Sequence, residues 1–138
     1  MIVLVSACLL GENCKYNGGN NKNEKLLAFL EGHTVIPVCP EQLGGLPPPR
    51  PSAEFVGGTV RTKDGASVDL EYREGAKKAL EIAKNAHAEL AILQSRSPSC
   101  GVKEIYDGSF TGKKIPGQGV FARLLSASGI RVMDIEDL

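Results

Sequence analysis

Three of the four cysteines occupy the same kind of position, at or soon after the end of a short apolar run. They are Cys8 after residues 2–5, Cys39 after residues 34–38 and Cys100 after residues 90–93. If each run is a buried parallel strand, all three thiols emerge from the carboxyl edge of one sheet, where open α/β sheets build their sites. The sequence therefore predicts that three distant cysteines converge.

The chemistry of such a site follows from the charge of the thiolate. Three thiolates in one place repel one another, so a metal ion or an iron–sulfur cluster must neutralise them if they are to stay deprotonated. Three ligands on a four-iron cluster leave one iron open, as in catalytic metal centres, whereas a fourth ligand from Cys14 would close the site. No Cys-x-x-Cys pair is present, which disfavours thioredoxin-like chemistry and ordinary zinc knuckles. Free cysteine is also a common core residue, so strand position alone leaves metal binding and a core role equally open.

Polar residues flank these cysteines and are candidates for handling a substrate. Ser6, Ser97 and Ser99 carry hydroxyls that could donate to cluster sulfurs or to a substrate oxygen. Glu41 could transfer a proton or orient water, or could simply cap the helix or turn that follows. Arg50 could direct its guanidinium at a substrate carbonyl or phosphate, or could be a solvated loop charge.

Alternating strand and helix patterns must position these residues. Strands are predicted at 2–6, 34–38, 89–94 and 130–133, and helices at 24–30, 68–86 and 118–128. Asn23 is predicted to cap the first helix, and a short extended piece is predicted at 55–62. Residues 11–23, 40–58 and 100–119 read as loops, the second because its prolines and glycines break helices and strands. This order predicts an α/β domain with a mostly parallel sheet of about four to five strands and helices on both faces.

The bulk properties favour a single domain in the cytoplasm. At 138 residues the chain, taken as one domain over residues 1–138, is long enough for a full core. Its net charge is zero, which favours neither nucleic acid nor an anionic membrane as a partner. No apolar stretch approaches the ~20 residues that cross a bilayer, and the N-terminus lacks a signal-peptide pattern. A cytoplasmic chain keeps its cysteines reduced, so disulfides are not expected.

Four segments give the chain a resemblance to a known family. In order they are SACLLGENCKYNGG, PVCPEQLGGLPPPRPSAEF, SRSPSCG and IYDGSFTGKKIPGQGV. With these segments the chain is similar to the DUF523 family over nearly its whole length. The resemblance implies a Rossmann-like three-layer domain that carries a [4Fe-4S] cluster on Cys8, Cys39 and Cys100, with one iron open. It also implies non-redox removal of sulfur, as hydrosulfide, from a small thiocarbonyl compound such as 2-thiouracil.

The same resemblance assigns roles to the flanking residues. Glu41 and Ser99 lie inside matching motifs, so they are expected to be the catalytic residues, in acid–base and substrate-orienting roles. Ser6, Arg50 and Ser97 are expected to contact the small-molecule substrate.

Two further positions and one competing function belong to this interpretation. Cys14 falls where the family pattern varies and is expected not to be a ligand. Asn17 stands where the family more usually has aspartate, which puts a charge role at that position in doubt. The alternative function is a non-catalytic iron–sulfur or zinc protein, with all four cysteines as ligands and a sensing or scaffold role.

Overall fold

The computed structural model describes every residue from Met1 to Leu138. Its strands are β1 (Ile2–Ser6), β2 (Thr34–Val38), β3 (Ala53–Val56), β4 (Thr59–Thr62), β5 (Leu90–Leu93), β6 (Glu104–Tyr106), β7 (Lys114–Pro116) and β8 (Arg131–Asp134). Its α-helices are α1 (Glu24–Leu30), α2 (Pro40–Leu43), α3 (Asp69–Asn85) and α4 (Val120–Ala127). Short 3-10 turns follow β1 and β8.

A four-stranded parallel sheet lies at the centre, with strand order β2-β1-β5-β8. Strand β1 lies between β2 and β5, so that Leu4 of β1 pairs with Ile36 on one side and with Ala91 on the other. Burial on both faces explains why these strands read as continuous apolar runs rather than as alternating ones. The prediction of an α/β fold with a mostly parallel sheet is confirmed.

Helices cover both faces of this sheet and make three layers. On one face, Leu4 and Leu93 pack with α3 and α4, where Phe121 is fully buried. On the other face, Val5 packs in a second cluster with Leu26 of α1. No helix of the protein combines the length and the apolar character that a membrane crossing needs.

The helix boundaries follow the local signals in the sequence. The Asn23 side chain accepts a hydrogen bond of 2.9 Å from the Leu26 amide, which confirms it as the N-cap of α1. Helix α3 lies within one residue of the predicted 68–86 at each end. Its buried stripe of Ala76, Ala79 and Ala83 is made of small residues that let neighbouring elements approach closely.

The prediction of an unstructured segment over residues 40–58 is wrong at both ends. Helix α2 begins at Pro40, because proline fits the first turn of a helix, where its missing N–H would have no partner. Strand β3 occupies Ala53–Val56 and pairs antiparallel with β4. Gly57 and Gly58 both have positive φ angles and form the turn between them, so the expected extended piece at 55–62 is a hairpin.

A second hairpin lies within the predicted loop at 100–119. Strands β6 and β7 pair antiparallel, with Ile105 beside Ile115. Each strand has only three residues, too few for the alternating pattern on which the sequence prediction depends.

Helix α2 packs against α3 at a contact between two glycines. A Cβ built on Gly75 would lie 2.9 Å from both the Pro40 carbonyl carbon and the Gly44 nitrogen. A Cβ on Gly44 would likewise meet the Glu71 carbonyl. Only glycine permits this backbone-to-backbone approach, which fixes the position of α2 and of the residues that begin it.

Candidate active site

The structure brings the strand-end cysteines to one cavity. β2, β1 and β5 are neighbours in the sheet, and Cys39, Cys8 and Cys100 follow their respective carboxyl ends. These cysteines and Cys14 line a cavity of about 590 Å³. All four thiols are free.

Three of the four thiols are held in surroundings that favour the protonated form. Cys39 Sγ lies 3.7 Å from the Cys14 carbonyl oxygen and 3.8 Å from Glu41 Oε2, and its single proton serves one of these acceptors at a time. The hydrogen bond to the Cys14 side chain, together with burial, raises the pKa of Cys39. Burial and then the charge of Glu41 raise the pKa of Cys100 to about 12. The hydrogen bond with Cys39 lowers the pKa of Cys14, but a hydrogen bond with Cys8 and burial outweigh it and raise that pKa to about 11.

These thiols are not grouped as a site for a single metal ion. No three histidine, cysteine, aspartate or glutamate side chains lie close enough together to coordinate one ion. A structural zinc site needs four donors at roughly 2.0–2.3 Å from one centre. The four thiols thus share one cavity without being gathered around a single centre.

A buried serine–carboxylate pair lies beside the thiols. Ser99 is fully buried, and its hydroxyl donates to Glu41 Oε1 at 2.6 Å. The Ser97 and Ser99 oxygens are 3.1 Å apart, and Ser97 Oγ also accepts a hydrogen bond from the Cys100 amide at 2.7 Å. Since the single Ser99 proton goes to Glu41, the Ser97 hydroxyl must donate to Ser99. The result is a chain of hydrogen bonds that ends on the carboxylate, in which each bond polarises the next.

Ser6 occupies the end of the central strand and faces the same cavity. Its oxygen accepts a hydrogen bond of 3.0 Å from the Gln94 amide, just after β5. Ser6 also makes a hydrogen bond to the Cys100 side chain, and this bond lowers the pKa of Cys100 against the effect of burial. The hydroxyl therefore connects two neighbouring strands at the site.

Arg50 is neither a free loop charge nor fully available to a substrate. Its two terminal nitrogens donate to the carbonyls of Cys14 (2.8 Å) and Leu46 (3.0 Å). Its Nε is buried and has no protein partner. The side chain thus fixes the loop that carries Cys14 while it lines the cavity.

Sequence reasoning missed several residues of the cavity. These include Glu54, Lys63, Tyr72, Arg96, Tyr106 and Phe110. Of these, Tyr72 is nearly fully buried, and burial followed by the nearby Glu41 charge raises its pKa. Tyr106 and Phe110 lie in the segment IYDGSFTG, within the predicted loop at 100–119. Because this segment is part of a motif that matches the family, its residues could have been predicted to lie at the site.

Comparison with known proteins identifies the family. The family model for 2-thiouracil desulfurase matches residues 3–137. The chain belongs to the 2-thiouracil desulfurase family. The resemblance seen in the four sequence segments is thereby confirmed.

Two members of the desulfurase family illustrate how close the relationship is. The Bacillus subtilis (strain 168) protein YbbK, described as uncharacterized, is 42% identical over 147 aligned positions, which cover 99% of this chain and 97% of YbbK. A solved structure described as the [4Fe-4S]-dependent thiouracil desulfidase TudS (DUF523Vcz) superposes with a TM-score of 0.92 at 40% identity. That match covers 99% of this chain and 91% of TudS, so the two domains share one fold along almost their whole length.

Proposed function

We propose that this protein is a [4Fe-4S]-dependent desulfidase that replaces the sulfur of a small thiocarbonyl compound, such as 2-thiouracil, with oxygen. The observation that carries the proposal is the cavity itself. It is lined by thiols from three adjacent strand ends and by the Glu41 carboxylate, which the buried Ser99 hydroxyl holds from behind. The relationship to TudS supports the same chemistry.

The donor set fits an iron–sulfur cluster held by Cys8, Cys39 and Cys100. Thiolates are the usual ligands of such clusters, and these three thiols line one cavity. The pKa values of Cys39 and Cys100 are raised, so binding there must release protons, as is usual when a thiol becomes a ligand. When bound, a cluster with three protein ligands supplies one iron with an open position, a Lewis acid that can accept sulfur.

The residues of the chain then have defined tasks. Glu41 takes one proton from a water molecule as the water oxygen adds to the thiocarbonyl carbon. The carbon–sulfur bond then breaks as the added hydroxyl gives its proton to the sulfur, so that the carbonyl forms and sulfur leaves as hydrosulfide. The carbon keeps its oxidation state, so no electron donor or acceptor is required. The Ser97–Ser99 chain orients the carboxylate for this proton transfer. Ser6 and Arg50 line the cavity and bind polar atoms of the substrate.

A second candidate function rests on Cys14. This thiol lines the same cavity and is hydrogen-bonded to the side chains of Cys39 and Cys8. If it were a fourth ligand, the site would be closed, as in structural or electron-transfer centres. The protein would then be a non-catalytic iron–sulfur or zinc protein with a sensing or scaffold role.

Serine substitution of each cysteine separates the two functions. We expect anaerobically reconstituted protein to abolish the thiocarbonyl absorbance of 2-thiouracil and to release uracil and hydrosulfide in equal amounts. Cys8→Ser, Cys39→Ser and Cys100→Ser should each lose iron and sulfide, whereas Cys14→Ser, the matched thiol of the same cavity, should keep both. Equal loss of the cluster in all four variants, with no turnover by the unaltered protein, would support the closed site instead.

The setting of the reaction is part of the same proposal. We place the protein in the cytoplasm, where reducing conditions keep its four thiols free. A zero net charge supports a small molecule rather than nucleic acid or a membrane surface as its partner. Cell fractionation of the native host tests the first statement.

A further inference from the structure

A buried carboxylate outside the thiol cluster joins two hairpins beside the cavity. Glu54 of β3 is only 9% exposed. Its Oε1 accepts hydrogen bonds from the amides of Gly108 (2.9 Å) and Phe110 (3.2 Å), in the turn between β6 and β7. Hydrogen bonds to an ionised acceptor are stronger than neutral ones. One side chain thus fastens the β3–β4 hairpin to the tip of the β6–β7 hairpin, and we name the two together the hairpin wall (residues 53–62 and 104–116).

Backbone packing holds the same tip close to β3. Gly108 has a φ of +93°, and a Cβ added there would overlap the Phe55 carbonyl oxygen and lie 3.3 Å from its carbon. Any larger residue would push the two hairpins apart. The Asp107 carboxylate accepts a hydrogen bond of 2.9 Å from the Ser109 amide and stiffens the turn from the other side.

Phe110 is held at this tip in an unfavourable backbone conformation. Its φ is +58°, in the left-handed region that residues other than glycine rarely adopt. Such conformations persist only where the surroundings enforce them, and they cluster at ligand clamps. Phe110 lines the cavity, and its ring stacks on no other aromatic side chain.

We propose that Phe110 stacks on the flat ring of the substrate and that Glu54 is the positioning residue that holds it there. This inference rests on the proposed function and names the residues that hold the substrate ring. An aromatic side chain that lines the cavity is suited to a planar ring, since stacking needs no particular pattern of donors and acceptors. Glu54 acts through the two amides and not on the reacting atoms.

Variants at Glu54 separate positioning from proton transfer. Glu54→Leu removes the acceptor, so the tip loses its anchor, whereas Glu54→Gln keeps an oxygen that can accept from both amides. Glu104→Leu is the matched control. It also removes a carboxylate from the hairpin wall, but the Glu104 carboxylate makes no hydrogen bond to the tip.

Kinetics with 2-thiouracil give the first readout. We expect Glu54→Leu and Phe110→Ala each to raise KM about tenfold, a typical loss for one stacked base, with kcat and iron content retained. Glu54→Gln should restore most of the affinity, and Glu104→Leu should leave KM unchanged. The double variant Glu54→Leu/Phe110→Ala should be no worse than either single one, since both remove the same interaction. Unchanged KM in both single variants, additive losses in the double variant, or a collapse of kcat in Glu54→Gln would overturn the inference.

Two further readouts do not require turnover. Amide hydrogen exchange at Gly108 and Phe110 should be faster in Glu54→Leu than in Glu54→Gln or the unaltered protein, and equal exchange in all three contradicts the anchoring role. If the cluster-loaded protein binds 2-thiouracil by calorimetry but does not convert it, the proposed function fails. The inference then stands if Phe110→Ala weakens that binding about tenfold, and it fails if binding is unaffected.

Discussion

The glycine contact between α2 and α3 predicts an effect opposite to ordinary helix propensity. Gly75 lies inside a long helix, where replacement by alanine usually stabilises a protein by about 0.8–1.0 kcal/mol. Here the added methyl group would lie 2.9 Å from the Pro40 carbonyl carbon and overlap the carbonyl oxygen. Gly75→Ala should therefore destabilise the protein and disturb the site.

The size of the effect follows from the distances. The closest contact, between the added Cβ and the Pro40 carbonyl oxygen, falls well short of a normal carbon–oxygen approach of about 3.3 Å, so the helices must separate by roughly 1 Å. Overpacking typically costs about 1–3 kcal/mol, and backbone atoms cannot rotate away, so we expect a cost of about 2–3 kcal/mol and a net loss of about 1–2 kcal/mol after the propensity gain of about 1 kcal/mol. Because α2 begins directly after Cys39 and carries Glu41, its shift moves a proposed ligand and the proposed base together. Misplacement by about 1 Å can cost about 100-fold in rate, so turnover should fall by roughly 10–100-fold.

Urea unfolding monitored by circular dichroism measures the stability, and anaerobic iron and sulfide analysis with thiouracil turnover measures the site. Glu74→Ala is the control, because it also places alanine on α3 but at an exposed neighbouring position. It should change neither property. If Gly75→Ala unfolds at the same or a higher urea concentration and keeps full activity, the argument from the glycine contact is wrong.

Three other predictions concern buried or paired carboxylates. Glu41→Gln keeps the shape but not the proton acceptor, so kcat should fall about 10²–10⁴-fold at unchanged iron content; turnover within about threefold of the unaltered protein contradicts its role as base. Ser99→Ala leaves Glu41 without its buried donor and should lower the free energy of unfolding by about 1–3 kcal/mol in urea titrations, while an unchanged midpoint would argue against the pair. Hydrogen bonds from Arg73 and then from the Val60 amide hold the pKa of Asp69 below its usual value. The ionised Asp69 carboxylate therefore stabilises the folded protein above about pH 4, and this stabilisation is lost as the pH falls through the folded-state pKa. Asp69→Asn should accordingly cost about 0.5–1 kcal/mol at pH 7 and almost nothing at about pH 2, and a cost that is the same at both pH values refutes this linkage.

The predictable part of the fold lies where one local signal suffices. Continuous apolar runs indicated the strands of the parallel sheet, and Asn23 marked the start of α1. The hairpins and α2 were missed because their signals are weak or conflicting. A proline disrupts a helix when it lies in the interior, but Pro40 lies in the first turn of α2, where it is tolerated. Strands β6 and β7 have only three residues each, too few to show an alternating pattern.

The candidate site, like the fold, has a part that local sequence signals predict and a part that they do not. By itself the sequence determined that Cys8, Cys39 and Cys100 follow strands of one sheet, and parallel strands deliver their carboxyl ends to one edge, so convergence follows from topology. Only the tertiary structure decided which groups meet across that edge. The 2.6 Å contact of Ser99 with Glu41 spans 58 residues, and the attachment of Glu54 to Phe110 spans 56. Such contacts depend on how loops and hairpins pack after the sheet has formed, and no periodicity or spacing along the chain encodes them.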